Sequence, residues 1–291
     1  MKVGVYARHL ANPNQLDYVK TFFDFLRNQT KNISVHHVLH AQLTSMGYVH
    51  NFDTIVNSVS KGEIDILFSL GGDGTVLDTL SIVRDTETPV LGINLGRFGF
   101  LANSRQEDFE TNYVALNRKD FTIDKRTVIE LQSKKELFSG FPFGLNDVVI
   151  QKKDTSNMIT VNTRLDNETL NSYWADGLIL ATPTGSTGYS LSCGGPIIYP
   201  GSASLVLTPI APHNLSIRPL VIGDNKTLSF EVEGRSDDFL VTIDSRSETI
   251  SKGTKLTVKK AGFKFHMIRL GDHSYSKTIR NKLLWGLDKR N

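Results

Sequence analysis

The chain has 291 residues, enough for one large domain or two of ordinary size. Its 39% hydrophobic and 22% charged residues indicate a globular protein, and its net charge of +3 is too small to predict a nucleic-acid partner. A single cysteine, Cys193, excludes a disulfide within the chain, no apolar run approaches membrane-spanning length, and residues 1–6 lack the features of a signal peptide. We therefore expect a cytoplasmic protein with no membrane partner.

The first 120 residues alternate apolar runs typical of strands with segments of helical periodicity. Strands are predicted at residues 2–6, 35–39, 64–70 and 89–93, and helices at residues 16–26, 52–59 and 75–84. This alternation predicts an α/β domain with a parallel sheet and helices on its faces. Ligands of such sheets bind beyond the carboxyl ends of the strands. The loops that begin at Gly71 and Asn94 are both expected at that edge.

Residues 70–75 read Leu-Gly-Gly-Asp-Gly-Thr, between a buried strand and a helix. The glycines let backbone N–H groups approach an anion, and the helix N-terminus adds further donors, so the turn suits phosphate. Asp73 is unfavourable beside phosphates unless a cation or a proton-transfer role offsets its charge; the alternative is a simple turn or capping residue. Thr75 and Asp78 have the spacing of a capping box, which predicts a structural role for Asp78.

After about residue 120 the helical periodicity nearly vanishes, and apolar residues alternate with polar ones between turn signals. We predict a mostly antiparallel β domain, arranged as a sandwich or as layered sheets. The domain boundaries are predicted at residues 1–120 and 121–270. We expect residues 271–291 to form a tail with a helix at residues 276–285 that packs back on the first domain.

Two polar segments in the β-rich part are candidates for ligand binding. Residues 174–196 are dense in glycines and small hydroxyl residues around one aromatic, Tyr189, and offer many donors to a polyhydroxylated or phosphorylated ligand; the alternative is a tight connection between strands. Asn146 and Asp147 precede a strand, where an Asx turn is the alternative. The chain lacks a Walker A motif, a complete dinucleotide fingerprint, a GxSxG motif and histidines at zinc-ligand spacing, so no protein metal site is predicted.

Taken together, these segments resemble the NAD kinase family, in order, over roughly residues 60–270. The glycine turn alone is shared with diacylglycerol and sphingosine kinases and with phosphofructokinase, whereas the Thr-Pro-Thr-Gly-Ser-Thr segment is more specific. The matching positions are Gly71-Gly72-Asp73-Gly74-Thr75, Asn94-x-Gly96-x-x-Gly99-Phe100-Leu101, Asn146-Asp147, Asp176-Gly177, residues 182–187, Tyr189-Ser190-Leu191-Ser192, Gly194-Gly195-Pro196, Pro212-His213 and Asp244. The resemblance implies a Rossmann-like or phosphofructokinase-like first domain followed by a mostly β domain.

The resemblance also implies phosphorylation of the 2′-hydroxyl of the adenosine ribose of NAD by ATP, with Mg²⁺ as the divalent cation. Asp73 would be the catalytic base, and NAD would lie across the domain interface. ATP would be held by Gly71, Gly72, Gly74 and Thr75. NAD would be bound by Asp73, Gly74, Asn146, Asp147, Asn157, Trp174, Asp176, Thr187, Gly188, Tyr189, Ser190, Leu191, Ser192, Ala211 and Arg246.

Several positions depart from the family pattern. Asp147 stands where glutamate is usual, which shortens the side chain by one methylene, and Gly188 and Cys193 stand where alanine is usual. Arg246 follows Asp244 where a polar residue is common. Trp174 occupies the position two before Asp-Gly, where glycine is associated with use of polyphosphate. We therefore expect ATP to be used and polyphosphate to be used poorly.

NAD kinases are homo-oligomers, so we expect a dimer or tetramer. The resemblance implies that the segment around Asp176 reaches into the nicotinamide pocket of a neighbouring subunit, and the chain gives Asp176 no charged partner nearby, as that role would require. Two alternative functions remain at this point: a lipid kinase of the diacylglycerol type, and a non-catalytic dinucleotide-binding regulator. The polar loops argue against the first because it needs an apolar acceptor cleft, and Asp73 argues against the second.

Overall fold

A computed structural model describes residues 1–8, 10, 12–48, 50–96, 99–153, 157–271 and 274–285. Arg97 and Phe98 of the loop after the fourth predicted strand, and residues 272–273 and 286–291 of the tail, lie outside the described residues. The helices and strands, in chain order, are β1 Val3–Ala7, α1 Pro13–Gln29, β2 Ile33–His36, α2 His37–Ser45, β3 Asp53–Ile55, β4 Ile66–Leu70, α3 Asp73–Val83, β5 Val90–Asn94, β6 Ser104–Arg105, α4 Phe109–Asn117, β7 Phe121–Ser133, β8 Phe143–Gly144, β9 Asp147–Lys152, β10 Ile159–Leu165, β11 Glu168–Ala175, β12 Gly177–Ala181, α5 Tyr189–Ser192, β13 Ser204–Ile210, β14 Leu220–Gly223, β15 Leu228–Glu233, β16 Asp238–Ile243, β17 Arg246–Ser251, β18 Lys255–Leu270 and α6 Tyr275–Leu283. None of the helices in these ranges is long and apolar enough to cross a membrane.

The chain divides into two compact units. Unit 1 comprises residues 1–125 and 265–291, and unit 2 comprises residues 126–264. The predicted boundaries lay at residues 120 and 270, so each differs from the observed one by about five residues. The second division falls inside the long strand β18, which begins in unit 2 and ends in unit 1.

Unit 1 is an α/β domain built on a parallel sheet, as the alternation of strands and helices predicted. Its strands run in the order β18, β5, β4, β1, β2, β3, and the short strand β6 also pairs with β5. Three aromatic residues form part of its core: Phe22 of α1 contacts Phe68 and Phe109, with ring centroids 5.8 and 4.4 Å apart. The helical periodicity of α1 places its buried residues, Val19, Phe22, Phe23 and Leu26, on one face, which packs into this core.

Two predicted elements of unit 1 are wrong. Residues 37–39, predicted as part of a strand, begin α2, because the Nδ1 atom of His36 accepts a hydrogen bond from the Val38 amide and caps the helix. Burial and the neighbouring charge of His37 lower the pKa of His36 to about 4. Residues 52–59, predicted as a helix, contain β3, which pairs in parallel with β2.

Unit 2 is mostly β, as predicted. One sheet has the order β14, β13, β12, β9, β16, β17, and all of its pairs are antiparallel. The other contains β11, β10, β15 and the first part of β18, also antiparallel. Alternate residues of both sheets, among them Val161, Val232 and Val241, are buried in one apolar core. This is the packing of a sandwich, and the loops at the strand ends carry the polar segments.

Candidate active site

The glycine turn lies where β4 ends and α3 begins. Gly72 is the N-cap of α3, and Asp73 is its first residue. Gly71 has a φ of +155°, and a Cβ added to it would lie 2.2 Å from the Thr75 hydroxyl oxygen, so a larger residue does not fit there. The backbone thus needs glycine at this position for steric reasons.

The backbone amides of the turn divide into two groups. The Gly71 amide donates to the Ile93 carbonyl at 2.9 Å, so its hydrogen bond belongs to the sheet edge. The amides of Gly72, Asp73 and Gly74 have no acceptor among the described residues. They are the first N–H groups of an eleven-residue helix, where the helix dipole also favours an anion.

The Asp73 carboxylate is held by the loop that follows β5. Its Oδ2 atom accepts a hydrogen bond from the Phe100 amide at 2.7 Å, and Oδ1 accepts from the Leu101 and Ala102 amides at 2.9 Å each. An ionised carboxylate offers about four acceptor positions, so Oδ2 retains one for a further partner. A Cβ added to Gly99 would lie 1.7 Å from Oδ1 of Asp73, so Gly99 makes room for the carboxylate.

Asp78 does not belong to a capping box, because α3 begins at Asp73 and Asp78 lies in its second turn. Its carboxylate instead pairs with Arg8, whose Nε and Nη2 atoms both donate to it, and it also accepts from the Tyr6 hydroxyl at 2.8 Å. The structural role predicted for Asp78 is therefore present with different partners. Arg8 is a residue that the sequence patterns missed.

In unit 2, a second turn holds Asn146 and Asp147 before β9. The Asp244 carboxylate accepts hydrogen bonds from the amides of Leu145, Asn146 and Asp147 at 2.9, 2.7 and 3.3 Å. Thr182 binds the other edge of the turn: its hydroxyl donates to the Leu145 carbonyl and its amide to the Asn146 carbonyl. The backbone of the turn is thus fixed from both sides.

The side chains of this turn have unusual environments. Asp147 is only 5% exposed, and burial together with the nearby charge of Asp244 raises the pKa of Asp147 to about 7. The Oδ1 atom of Asn146 is buried and has no hydrogen-bond partner among the residues that the structure describes. An unpaired buried acceptor costs about 1–3 kcal/mol, a cost that a ligand donor removes.

The Thr-Pro-Thr-Gly-Ser-Thr segment forms a short 3₁₀ turn at Gly185–Thr187, followed by the one-turn helix α5. A Cβ added to Gly185 would lie 2.1 Å from the Asn146 carbonyl oxygen, so this glycine allows the segment to pack on the Asn146 turn. Gly188 follows, and a Cβ there would lie 3.6 Å from the Asn146 side-chain nitrogen. The predicted residues 187–188 and Asn146–Asp147 are therefore neighbours.

Helix α5 carries four of the predicted residues with different exposures. Tyr189 is 42% exposed, and burial of its hydroxyl together with Cys193, Asp176 and Asp147 raises its pKa. Ser190 is fully buried, with its hydroxyl 2.8 Å from that of Thr208. Leu191 is half-buried and Ser192 is exposed.

Trp174, Asp176 and Ala211 come together through the pairing of β12 with β13. The Asp176 amide donates to the Ile210 carbonyl, and the Trp174 ring packs on His213, with ring centroids 4.2 Å apart. Ala211 has a φ of +45° at the end of β13.

The absence of a charged partner for Asp176 was a wrong prediction, because Lys152 Nζ lies 2.6 Å from Asp176 Oδ1. Lys152 is at the end of β9, directly beside β12, so strand pairing supplies the partner. The lone carboxylate therefore no longer supports assigning Asp176 to a neighbouring subunit; that assignment stays a prediction from the family resemblance.

Two predicted residues lie at other places in unit 2. The Arg246 guanidinium donates to the carbonyls of Phe141 and Phe143 at 2.8 and 2.5 Å and lies over the Phe138 and Phe141 rings, which is a structural environment. Asn157 lines a small cavity of about 150 Å³ with Lys152.

Unit 1 also contains a cavity of about 830 Å³, outside the predicted site. It is lined by Asn94, Gly96, the start of α4 and one face of α6, and none of the predicted site residues lines it. Among the described residues, no group of three or more His, Cys, Asp or Glu side chains could hold a metal ion.

Comparisons with known proteins agree with this geometry. The family model of the ATP-NAD kinase N-terminal domain matches residues 20–121, and that of the C-terminal domain matches residues 145–270. The chain is 47% identical over 240 residues to the NAD kinase of Cytophaga hutchinsonii, which covers 82% of each chain. It is 44% identical over 297 residues to that of Flavobacterium psychrophilum, with both chains covered completely.

Two solved structures share the fold. The crystal structure of yeast NADH kinase complexed with NADH has a TM-score of 0.85 at 21% identity, covering 99% of this chain and 88% of that chain. That of an NAD kinase from Archaeoglobus fulgidus in complex with ATP has a TM-score of 0.69 at 23% identity, covering 98% and 99%. At these identities the similarity establishes a common fold.

Proposed function

The chain belongs to the ATP-NAD kinase family, and from this premise we propose how its residues carry out the reaction. It is a phosphotransferase that moves the terminal phosphoryl group of ATP to the 2′-hydroxyl of the adenosine ribose of NAD, giving ADP and NADP. The family assignment favours this function over a lipid kinase or a non-catalytic regulator.

Asp73 is the proposed general base. The ribose hydroxyl is a weak nucleophile, and a positioned carboxylate that takes its proton contributes roughly 10²–10⁴ in rate. The hydroxyl oxygen attacks the terminal phosphorus, its proton passes to Asp73 Oδ2, and the bond to the ADP oxygen breaks. The observation that carries this proposal is the fixed orientation of the carboxylate on three loop amides, with one acceptor position left on Oδ2.

ATP is proposed to bind at the amides of Gly72, Asp73 and Gly74, at the start of α3. Gly71 and Thr75 shape this turn, since the Gly71 amide already donates to Ile93. Mg²⁺ enters as part of the substrate, MgATP, because Mg²⁺ in such sites is held mainly by phosphates and waters with one or two carboxylates. We expect ATP to be the donor and polyphosphate to be used poorly, given the bulky Trp174.

NAD is proposed to bind unit 2 through the Asn146 turn and the Tyr189 loop. Asn146 Oδ1 is a buried acceptor with no partner in the described part of the chain, so it is suited to a ribose hydroxyl or an amide N–H of the ligand. Tyr189 offers a partly exposed aromatic face for a base. The other predicted contacts are Asp147, Asn157, Trp174, Asp176, Thr187, Gly188, Ser190, Leu191, Ser192, Ala211 and Arg246; of these, Ser190 is available only through its backbone, since its side chain is buried against Thr208.

We also propose that the protein is a homo-oligomer in the cytoplasm. Strand β14 lies at an edge of its sheet and exposes Leu220 and Val221, by 37% and 49%, which favours pairing with another copy. Sedimentation analysis is expected to give a dimer or tetramer. A monomer at micromolar concentration would contradict this part of the proposal.

The function is tested by incubating the purified protein with MgATP and NAD and measuring NADP with an NADP-specific dehydrogenase. We expect NADP to form in equal amount with ADP, and no phosphorylation of diacylglycerol in a parallel reaction. ADP release without NADP, or NAD binding without turnover, would contradict the proposal. Tripolyphosphate in place of ATP is the control for donor choice.

A further inference from the structure

We propose that Arg8 binds the phosphates of ATP, as a side-chain donor beside the backbone amides of the glycine turn. This inference rests on the proposed function and adds a residue to its ATP site. Arg8 lies outside the glycine turn in sequence, and the ATP-binding residues expected from the sequence did not include it.

Parallel strand pairing brings Arg8 to the turn. Strand β1 lies next to β4, with Ala7 opposite Leu70, so the residues that follow each strand emerge at the same edge of the sheet. The Nη1 atom of Arg8 lies 3.1 Å from the position that a Cβ would occupy on Gly74. Glycine at residue 74 therefore lets the guanidinium approach the start of α3.

The orientation of the guanidinium is set by its contacts with α3. Asp78 engages Nε and Nη2, the latter at 2.5 Å, and the Tyr6 hydroxyl holds the same carboxylate at 2.8 Å. These contacts use one edge of the planar group and place Nη1 on the side of Gly74. A guanidinium that is already held in one orientation loses little side-chain entropy when it binds a phosphate.

Charge also favours this role. Asp73 is the first residue of α3 and Asp78 lies in its second turn, so a polyanionic phosphate chain at the glycine turn would otherwise meet two carboxylates. The Arg8 side chain is 45% exposed, so it is accessible to a ligand, and the hydrogen bond to Asp78 raises its pKa, so it stays charged at every working pH. The competing explanation is that Arg8 only ties β1 to α3.

The experiment compares Arg8→Met and Arg8→Lys with Arg118→Met, a matched loss of an exposed arginine at the C-terminus of α4. Calorimetry measures the binding of MgADP and of NAD to each protein, without turnover. Steady-state assays then give KM for MgATP and for NAD. Hydrogen bonds from charged groups change affinity by roughly 10- to 100-fold. Because Arg8 already pairs with Asp78, we expect its effect to lie near the lower end of this range.

We expect Arg8→Met to weaken MgADP binding and raise KM for MgATP by about tenfold, with NAD binding changed less than about twofold. Arg8→Lys keeps the charge but lacks the planar guanidinium, so its MgADP affinity and its KM for MgATP should lie between those of Arg8→Met and of the unmodified protein. Arg118→Met should behave like the unmodified protein. Arg8→Gln follows the same criteria should Arg8→Met fold poorly.

Unchanged MgADP binding in a folded Arg8→Met protein would overturn the inference. So would an equal loss of MgADP and NAD binding with a lowered melting temperature, which is the result that a purely structural tie predicts. Failure of the proposed function is a different result, since the unmodified protein would then make no NADP although MgADP binding still responds to Arg8.

Discussion

The two units each contain a carboxylate that accepts hydrogen bonds from three consecutive backbone amides. Asp73 in unit 1 holds the amides of residues 100–102, and Asp244 in unit 2 holds those of residues 145–147. Both side chains are partly exposed, and the two differ in their surroundings: Asp73 is the first residue of a helix, whereas Asp244 lies near the buried Asp147 carboxyl, and desolvation raises the pKa of Asp244.

This difference separates two roles for the same hydrogen-bonding pattern. Asp244 accepts hydrogen bonds from all three amides of the Asn146 turn and serves to fix that turn. Asp73 keeps an acceptor position on the open side, where a substrate hydroxyl can reach it. The surrounding groups, more than the hydrogen-bond count, distinguish the positioning carboxylate from the one proposed to react: Asp73 stands beside the amides of Gly72 and Gly74, which have no acceptor among the described residues.

The largest expected effect on stability comes from Asp244→Ala. The change leaves three amides of the Asn146 turn without an acceptor and puts alanine at a φ of +52°, so we expect unfolding free energy to fall by about 3 kcal/mol. Urea denaturation measures this loss. Asp238→Ala, at an exposed ion pair with Lys153, is the control and should cost under about 1 kcal/mol. Equal effects of the two changes would contradict the positioning role.

The next effect concerns Asp147 and depends on pH. Its folded-state pKa of about 7 exceeds the usual 3.8, so the fold favours the protonated form. Below about pH 4 the Asp147 carboxyl is protonated in both the folded and the unfolded chain and does not lower the free energy of unfolding. As the pH rises towards 7, only the unfolded chain loses this proton, so the free energy of unfolding falls. Asp147→Asn removes this loss, so the variant should gain about 2 kcal/mol relative to the unmodified protein between pH 5 and pH 8. If the difference in unfolding free energy between Asp147→Asn and the unmodified protein stays constant across that range, Asp147 is charged in the folded protein.

A kinetic effect is expected from Gly99→Ala, which tests the position of the Asp73 carboxylate. The added Cβ would meet Oδ1 of Asp73, so the carboxylate or the loop must shift, and we expect kcat to fall by at least about tenfold. Gly96→Ala is the matched control in the same loop, because a Cβ there meets none of the described residues within 4 Å. If both variants keep full activity, the orientation of Asp73 by this loop is unimportant for turnover.

The smallest effect is expected at Asp176, whose partner is a side chain. Lys152→Met breaks a partly exposed ion pair, so unfolding free energy should fall by less than about 1 kcal/mol, and the loss should shrink in high salt. Lys153→Met serves as the comparison at the more exposed, longer pair. A loss as large as that of Asp244→Ala would show that ion pairs stabilise this unit as much as the hydrogen bonds between backbone amides and the Asp244 carboxylate.

Local patterns in the sequence predicted both fold classes and the glycine turn, because strand and helix periodicity and glycine content are properties of short segments. They failed at residues 37–39 and 52–59, where the helix cap by His36 and the pairing of β3 with β2 decide the structure. Helix α4 was not predicted, although Phe109, Tyr113 and Leu116 are buried at helical spacing.

The partners of site residues were the least predictable part. Arg8 and Asp78 are 70 positions apart, and Asp244 lies about 98 positions from the amides it holds, so no local spacing reveals either contact. The ion pair between Lys152 and Asp176 could have been predicted, because pairing β9 with β12 places the two residues side by side. The resemblance to the family located Asp244 but did not give its role as a clamp.

The central claim, that Asp73 takes the proton from the ribose hydroxyl, is tested most directly by single-turnover kinetics of Asp73→Asn with saturating MgATP and NAD. We expect a rate at least about 100-fold below that of the unmodified protein, with NAD affinity within about twofold and an unchanged melting temperature. A rate close to that of the unmodified protein would contradict it and leave Asp73 as a residue that only organises the turn.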